Sequence, residues 1–346
     1  MTLETTFERH SLPLEHAFTI ARGTQTTAEN VVVRITDEEG TVGVGGAAPS
    51  AHYGETADTV EAVLPDLLSV VEAVGDPHAL ARIERRMRET VTRNPAARCA
   101  VSIALHDLAA KRADLPLYRY WGLDAADAVP TSFTIGIDDL PVVREKTEAA
   151  VDAGYEILKV KVGTDRDEEL LGAVRDAAPD ATVRVDANEA WSPREAVRKI
   201  DALAEYDLEF VEQPVPAENP EGMRFVRERA ALPIAADESC ITASDVPRIA
   251  DKCDIANLKL MKTGGLREAK RLIHAAKAHG LEVMCGCMIE SNASIAAAAH
   301  LAPLLDYADL DGSLLLADDD FDGVPMPAGH VDLQAVDRPG TGARER

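Results

Sequence analysis

The chain has 346 residues, 46% of them hydrophobic and only 4% aromatic, which suits a barrel of about 200–250 residues plus a smaller partner, with a core of Ala, Val, Leu and Ile. Its 60 acidic residues against 36 basic ones leave a net charge of −24, a surface that repels nucleic acid and anionic membrane and excludes both as partners. Only 10 of the basic residues are lysines and 26 are arginines, a balance that fits a protein kept soluble in strong salt, the alternative being an ordinary acidic cytosolic enzyme from a high-GC genome.

Residues 1–50 read as strands. Val31-Val32-Val33-Arg34-Ile35 is β-branched, and the turn Asp37-Glu38-Glu39-Gly40 leads into Thr41-Val42-Gly43-Val44, an antiparallel hairpin. From Thr56 the apolar spacing turns helical, over 56–74, 79–93 and 97–113. Strands followed by helices indicate an α+β domain over residues 1–125. From residue 130 short apolar strands alternate with helices. The strands centre near Phe133, Val160, Val185, Val211, Ala235, Leu258, Met284 and Ala308, and the helices fall at 140–153, 167–177, 193–205, 219–230, 243–251, 265–279 and 291–302. Eight strands with seven crossovers specify a closed parallel barrel over 126–317. The Asp-, Gly- and Pro-rich tail, 318–346, is expected to return over the first domain.

The five cysteines, Cys99, Cys240, Cys253, Cys285 and Cys287, are odd in number and scattered, so neither a disulfide framework nor a zinc cluster is expected. The opening MTLETTFERH has no apolar leader, and no run of eighteen apolar residues follows, so the expectation is a soluble, cytoplasmic protein.

Polar residues interrupt the buried strands at a regular interval. Taking one per strand end gives Thr134, Lys161, Asp186, Glu212, Asp237, Lys259, Cys285 and Asp309, with successive gaps of 22 to 27 residues, one βα repeat each. Such residues converge at the C-terminal mouth of a barrel, where this architecture places its catalytic groups. Asp186, Glu212 and Asp237 stand on three adjacent strands. Three carboxylates brought together repel unless a cation neutralises them, and an oxygen-only set selects a hard ion, Mg²⁺ with Mn²⁺ as a substitute. Lys159 and Lys161 share one face of the second strand, where mutual repulsion and a nearby cation are expected to pull one amine below its ordinary range and fit it for base chemistry. Lys259 ends the sixth strand, across the metal ligands. Lys262 stands between two readings, a helix-entry charge and an electrostatic role.

The segments Lys159-Val160-Lys161, Asp186-Ala187-Asn188, Glu212-Gln213-Pro214, Asp237-Glu238-Ser239 and Asn257 through Gly265 resemble, in order and across the whole barrel, the muconate-lactonizing branch of the enolase superfamily. The resemblance implies an α/β fold, a modified (β/α)7β TIM-type barrel with an N-terminal α+β capping domain that the tail completes, and a tendency to form homo-oligomers. Enolase-superfamily sites use a Lys or His base with Mg²⁺ to stabilise an ene-diolate. Within the branch, Asp309-Leu310-Asp311-Gly312 is similar to the Asp-x-Asp motif of dipeptide epimerases, whose aspartates bind the substrate's α-ammonium. Gly286 through Ser291, including Met288, resembles their seventh-strand segment. Cap loops close over the mouth in this family. Here they correspond to Phe18 through Gly23, where Arg22 is available to an acidic side chain of the second residue, and Ala51 through Glu55, where Tyr53 walls the pocket. Thr134 joins the substrate-binding set at the first strand end. One departure stands out: Gly43-Val44-Gly45-Gly46 lacks the glutamate of the family's Gly-x-Gly-Glu.

The implied reaction is a 1,1-proton transfer on a dipeptide, through an enediolate, with Lys161 and Lys259 on opposite faces of the carbon next to the carboxylate and Lys159 tuning its neighbour. A cycloisomerase or o-succinylbenzoate synthase would use the same metal and lysines without an amine to anchor. A sugar-acid dehydratase is disfavoured because no histidine stands at a strand end, and a non-catalytic binder would have lost some of the polar strand ends.

Overall fold

The computed structural model describes residues 2–346. The first unit is a three-stranded antiparallel sheet of β1 (Leu3–Ile20), β2 (Gly23–Asp37) and β3 (Val42–Ala47), in that spatial order. Val31, Val33 and Ile35 of β2 enter the main core, and the helices Ala57–Val74, Leu80–Thr90 and Pro95–Arg112 belong to the same unit. Thr56 starts the first of these helices with a capping box to Thr59, which satisfies two otherwise unpaired amides. The helix Pro95–Arg112 is buried from Ala96 through Ala110 and lies directly on β3. That approach depends on Gly43 and Gly45: a Cβ there would stand 2.1 Å from the Ala104 carbonyl oxygen and 2.2 Å from that of Ala100. At Gly46, where the family pattern has glutamate, a Cβ would stand 3.3 Å from the Cβ atoms of Ala293 and Ser294, so the helix Asn292–Ala299 fills the space a longer side chain would need.

The second unit is an eight-stranded parallel sheet whose strands run in chain order: β4 (Phe133–Ile135), β5 (Ile157–Lys161), β6 (Thr182–Asp186), β7 (Leu208–Glu212), β8 (Ile234–Ala236), β9 (Ile255–Lys259), β10 (Glu282–Gly286) and β11 (Tyr307–Ala308). A bridge between Thr131 and Ala308 joins the two ends of the sheet. All eight expected strand centres fall in these strands. The crossovers are helical, but the one between β8 and β9 is a single turn, Val246–Ile249, shorter than the 243–251 expected, because Pro247 lies at its start and Asp245 turns the preceding loop by accepting from Ile241 and Thr242.

Register sets the height of the strand ends. Lys161 pairs with Asp186, and Asp186 with Glu212, so the three stand at one level. Asp237 and Asp309 each sit one residue beyond a short strand. The tail returns along the first unit: Phe321 packs with Val32, Val44 and Ala293, Thr341 donates its amide to Asp107 Oδ1 (2.7 Å), and the Leu117 amide donates to the Gly340 carbonyl (2.7 Å). Among the described residues no helix is long and apolar enough to cross a membrane.

Candidate functional site

A cavity of about 720 Å³ opens between the strand ends and the first unit, lined by Lys159, Lys161, Lys259, Asp309 and Asp311 from the barrel and by Arg22 and Tyr53 from the cap loops. Thr134 and Met288 also line it. Cys285, though part of the regular polar series, packs in the main core instead.

The three carboxylates proposed as metal ligands are fully buried and share one design. One oxygen of each is fixed by a neutral or structural donor. Asp186 Oδ1 accepts from the Asn188 amide (2.9 Å), Glu212 Oε1 from Asn257 Nδ2 (2.7 Å), and Asp237 Oδ1 from Lys262 Nζ (2.5 Å). The other oxygen of each turns to a lysine at the site: Asp186 Oδ2 to Lys161 (2.6 Å), Glu212 Oε2 to Lys159 (2.8 Å) and Asp237 Oδ2 to Lys259 (2.8 Å). Glu212 Oε2 is buried and receives no well-formed hydrogen bond. A buried acceptor in that state, among all-oxygen donors held by outer partners, fits a hard divalent cation. The oxygens do not close on one another here, since ammonium groups stand against them. The one acid–histidine group among the described residues whose ligand atoms all lie within 4.8 Å of each other is His52, Glu189 and Glu238, and that cluster already surrounds the Arg22 guanidinium.

Electrostatics correct one expectation. Burial disfavours the charged amine of Lys159, yet Asp309, Glu212 and Asp186 together raise its pKa well above the ordinary lysine range. Lys259 is raised as well: burial opposes the charge, and Asp237 leads the groups that favour it. At Lys159 the carboxylates therefore outweigh the expected lysine–lysine repulsion. The carboxylates respond in kind. Burial pushes Asp186 and Asp237 upward, but Lys161 and Lys159 for the first, and Lys259 and Lys262 for the second, carry both below the usual range. Glu212 stays raised, by burial and by the charge of Asp186.

At the far side, Asp309 Oδ2 lies 2.7 Å from Lys159 Nζ, and Asp309 Oδ1 accepts from Ser132 Oγ (2.7 Å). Asp311 Oδ2 accepts from the Thr134 amide (2.6 Å). Thr134 thus holds Asp311 through its backbone amide and donates its hydroxyl to Asp309 Oδ1 (3.4 Å). Burial, and then the charge of Asp309, push Asp311 up to about 7. A ligand cation beside it would favour ionisation.

The cap loops reach across to the barrel. Arg22 Nη1 stands 2.7 Å from Glu238 Oε1 and 3.3 Å from Glu189 Oε2, and donates to the Asn188 carbonyl (3.1 Å). Tyr53 stacks edge-on against His52, and burial with the charge of Asp237 raises its phenol. Glu55 fixes this loop by accepting the Ala96 amide at 3.2 Å on either oxygen, at the start of the helix Pro95–Arg112.

Several working residues stood inside the quoted segments without a role assigned to them. Asn257 holds both Glu212 and the Gly286 amide, and its spacing of two from Lys259 on a buried strand put it on the same inward face. Gln213 Oε1 accepts from the amides of Asp237 and Ser239 and so sets the chain direction where Asp237 leaves β8. Nothing local marked the partner of Glu238, Arg22, which comes from the first unit.

Residues 3–122 match the family described as the mandelate racemase/muconate lactonizing enzyme N-terminal domain, and residues 142–344 match the enolase C-terminal domain-like family. The chain is 39% identical to an L-Ala-D/L-Glu epimerase of Bacteroides thetaiotaomicron over 342 residues, covering 98% of this chain and 87% of that protein. It is also 39% identical to a hydrophobic dipeptide epimerase of Enterococcus faecalis, over 87% of this chain and 88% of that one. Its fold superposes with a TM-score of 0.90, at 35% identity and 100% of both chains, on a crystal structure of a dipeptide epimerase from Enterococcus faecalis V583 complexed with Mg and the dipeptide L-Leu-L-Tyr.

Proposed function

The chain belongs to the mandelate racemase/muconate lactonizing family of the enolase superfamily, and from that premise we infer that it is a Mg²⁺-dependent dipeptide epimerase, an isomerase that inverts the carbon next to the dipeptide's carboxylate. One observation carries the reading. Asp186, Glu212 and Asp237 form a row on neighbouring strands, and the amines of Lys161 and Lys259 stand at its two outer members, 2.6 Å from Asp186 and 2.8 Å from Asp237. Two bases that flank one row can address one bound carbon from two sides.

Asp186, Glu212 and Asp237 would hold the Mg²⁺, which when bound supplies a Lewis acid for the substrate carboxylate. The chain's own groups do the rest. Asp309 and Asp311 take the α-ammonium and fix the distance from amine to carboxylate. Whichever of Lys161 and Lys259 is neutral removes the α-proton, and the other, protonated, delivers one to the opposite face. Lys159, bonded to Asp186, Glu212 and Asp309 at 3.2, 2.8 and 2.7 Å, keeps both ends of the site in place. The loops of Arg22 and Tyr53 line the mouth, where closure over a bound dipeptide would exclude water.

The direct experiment is incubation of a dipeptide panel with the protein and Mg²⁺ in D₂O. Epimerisation with deuterium at the α-carbon, with interconversion of the epimers strongly slowed in Lys161→Ala, is the expected result. Binding without exchange by the wild-type protein would refute the assignment.

A further inference from the structure

We propose that the preferred substrates are dipeptides whose epimerised residue is neutral and apolar, and that Arg22 is a strut between cap and barrel rather than a receptor for a substrate side-chain carboxylate. The proposal rests on the dipeptide-epimerase reading and names the substrate class of that site. Sequence identity alone does not choose, since an L-Ala-D/L-Glu epimerase and a hydrophobic dipeptide epimerase each stand at 39%.

The cavity's cations decide the matter. Five basic side chains line it: Arg22, His52, Lys159, Lys161 and Lys259. The lysines are matched to Asp186, Glu212, Asp237 and Asp309, the groups proposed to hold the metal and the α-amine. His52 lies 3.4 Å from Glu189 and is held below the usual histidine range by burial and by the charge of Arg22, so it carries no spare charge at neutral pH. Arg22 is the one cation within 4 Å of Glu238 among the described residues, and Glu238 is buried. Turning Arg22 toward a ligand would strand that carboxylate away from water without its partner. Glu29, an acid on the same lining, repels a further negative charge. Of the remaining wall, Phe18, Ile20, Met288, Ile289 and Leu315 offer apolar surface, and the polar side chains of Thr24, Gln25 and Thr27 are uncharged. A glutamyl side chain would therefore bring a charge into a cavity that has no spare cation to match it, whereas a leucyl side chain would bury apolar surface.

The test compares kcat/KM for L-Ala-L-Leu and L-Ala-L-Glu on the Mg²⁺-loaded enzyme, read by deuterium exchange. The leucyl dipeptide is expected to win by about tenfold or more, and parity or a preference for the glutamyl dipeptide overturns the proposal. Arg22→Met should lower both in the same proportion, and a loss confined to L-Ala-L-Glu would identify Arg22 as a receptor. A second readout needs no turnover: thermal midpoints of Arg22→Met, Glu238→Gln and the double variant without metal. Each single substitution should lower the midpoint and the double no further than the larger single, while additive losses refute the strut. Should no dipeptide exchange deuterium, the epimerase reading falls, and the melting cycle still decides the role of Arg22.

Discussion

Lys159 Nζ lies 2.7 Å from Asp309 Oδ2 while also standing 2.8 Å from Glu212 Oε2, so one buried ammonium joins the carboxylate row proposed for the metal to the aspartates proposed for the substrate amine. Both ends of a dipeptide would be measured from this one side chain. Removing its charge leaves Asp186, Glu212 and Asp309 buried with fewer cations to share. Lys159→Met should cost the metal-free protein about 3–5 kcal/mol in a urea titration, the range for breaking a buried ion pair from one side. A loss below about 1 kcal/mol would mean that the cluster relaxes or takes up protons instead.

Lys161 and Lys259 approach the row from β5 and β9, and each should serve one hand of the substrate. Lys161→Ala and Lys259→Ala should each slow epimerisation by about 10²–10⁴-fold, the usual scale for losing a positioned acid or base. Each variant should nevertheless keep exchanging the α-proton of one epimer, and the retained epimer should differ between the two. NMR in D₂O with both pure diastereomers separates the cases. Exchange of the same epimer by both variants would place the two amines on one side of the carbon.

Asp311 gives the site a pH signature. Burial and the charge of Asp309 put its carboxyl at about 7, so below that pH it is neutral and attracts an ammonium weakly. Dipeptide affinity should therefore fall about tenfold for each pH unit below 7. Calorimetric titration into the Mg²⁺-loaded Lys161→Ala variant reads this without turnover, and Asp311→Asn should bind weakly and flatten the profile. Stability runs the other way. Because the folded-state value lies above the 3.8 of an unperturbed aspartate, this group's contribution is complete below 3.8 and is lost as pH rises to about 7. An affinity that rises on acidification would reject the role of Asp311.

The acidic surface predicts a salt response. With a net charge of −24, self-repulsion should weaken as added KCl shortens the screening length from about 10 Å at 0.1 M to about 3 Å at 1 M. The thermal midpoint should climb over that range, and a flat or falling midpoint would assign the charge to composition alone.

The sequence disclosed the barrel through Lys161, Asp186 and Glu212 because parallel strands in register put one residue per repeat at the same height, and a period of that kind survives in a linear chain. Cys285 shared the period yet turned into the core, since position along a strand sets height but not the face that is exposed. Arg22 was visible only as a loop cation. Its partners Glu189 and Glu238 lie on barrel loops brought under the cap by tertiary packing, a relationship without local periodicity. The setting of Lys159 was hidden for a similar reason. Lys159 and Lys161 are neighbours in sequence, but the carboxylates that hold Lys159 protonated come from three other strand ends.

Lys262, undecided from sequence, acquires a definite position. Its fully buried ammonium meets four oxygens: Asp237 Oδ1 at 2.5 Å, the Asp237 carbonyl at 2.6 Å, the Cys240 carbonyl at 2.9 Å and the Asn257 carbonyl at 3.0 Å. It thereby fixes one oxygen of Asp237 and leaves the other to face Lys259. It also ties the chain after β8 to β9, which carries Asn257 and so orients Glu212. Two of the three proposed metal ligands thus lean on this one amine. Outer partners of that kind are worth about 10–100-fold in metal affinity. Lys262→Met should weaken Mg²⁺ binding by that factor, measured as the Mg²⁺ concentration that half-restores the thermal midpoint of the chelated protein. The variant should also lose stability without metal, because three carbonyls and a carboxylate are left buried without their donor. Unchanged Mg²⁺ affinity alongside reduced stability would confine Lys262 to holding the loop and leave the orientation of Asp237 to Gln213 and the β8 backbone.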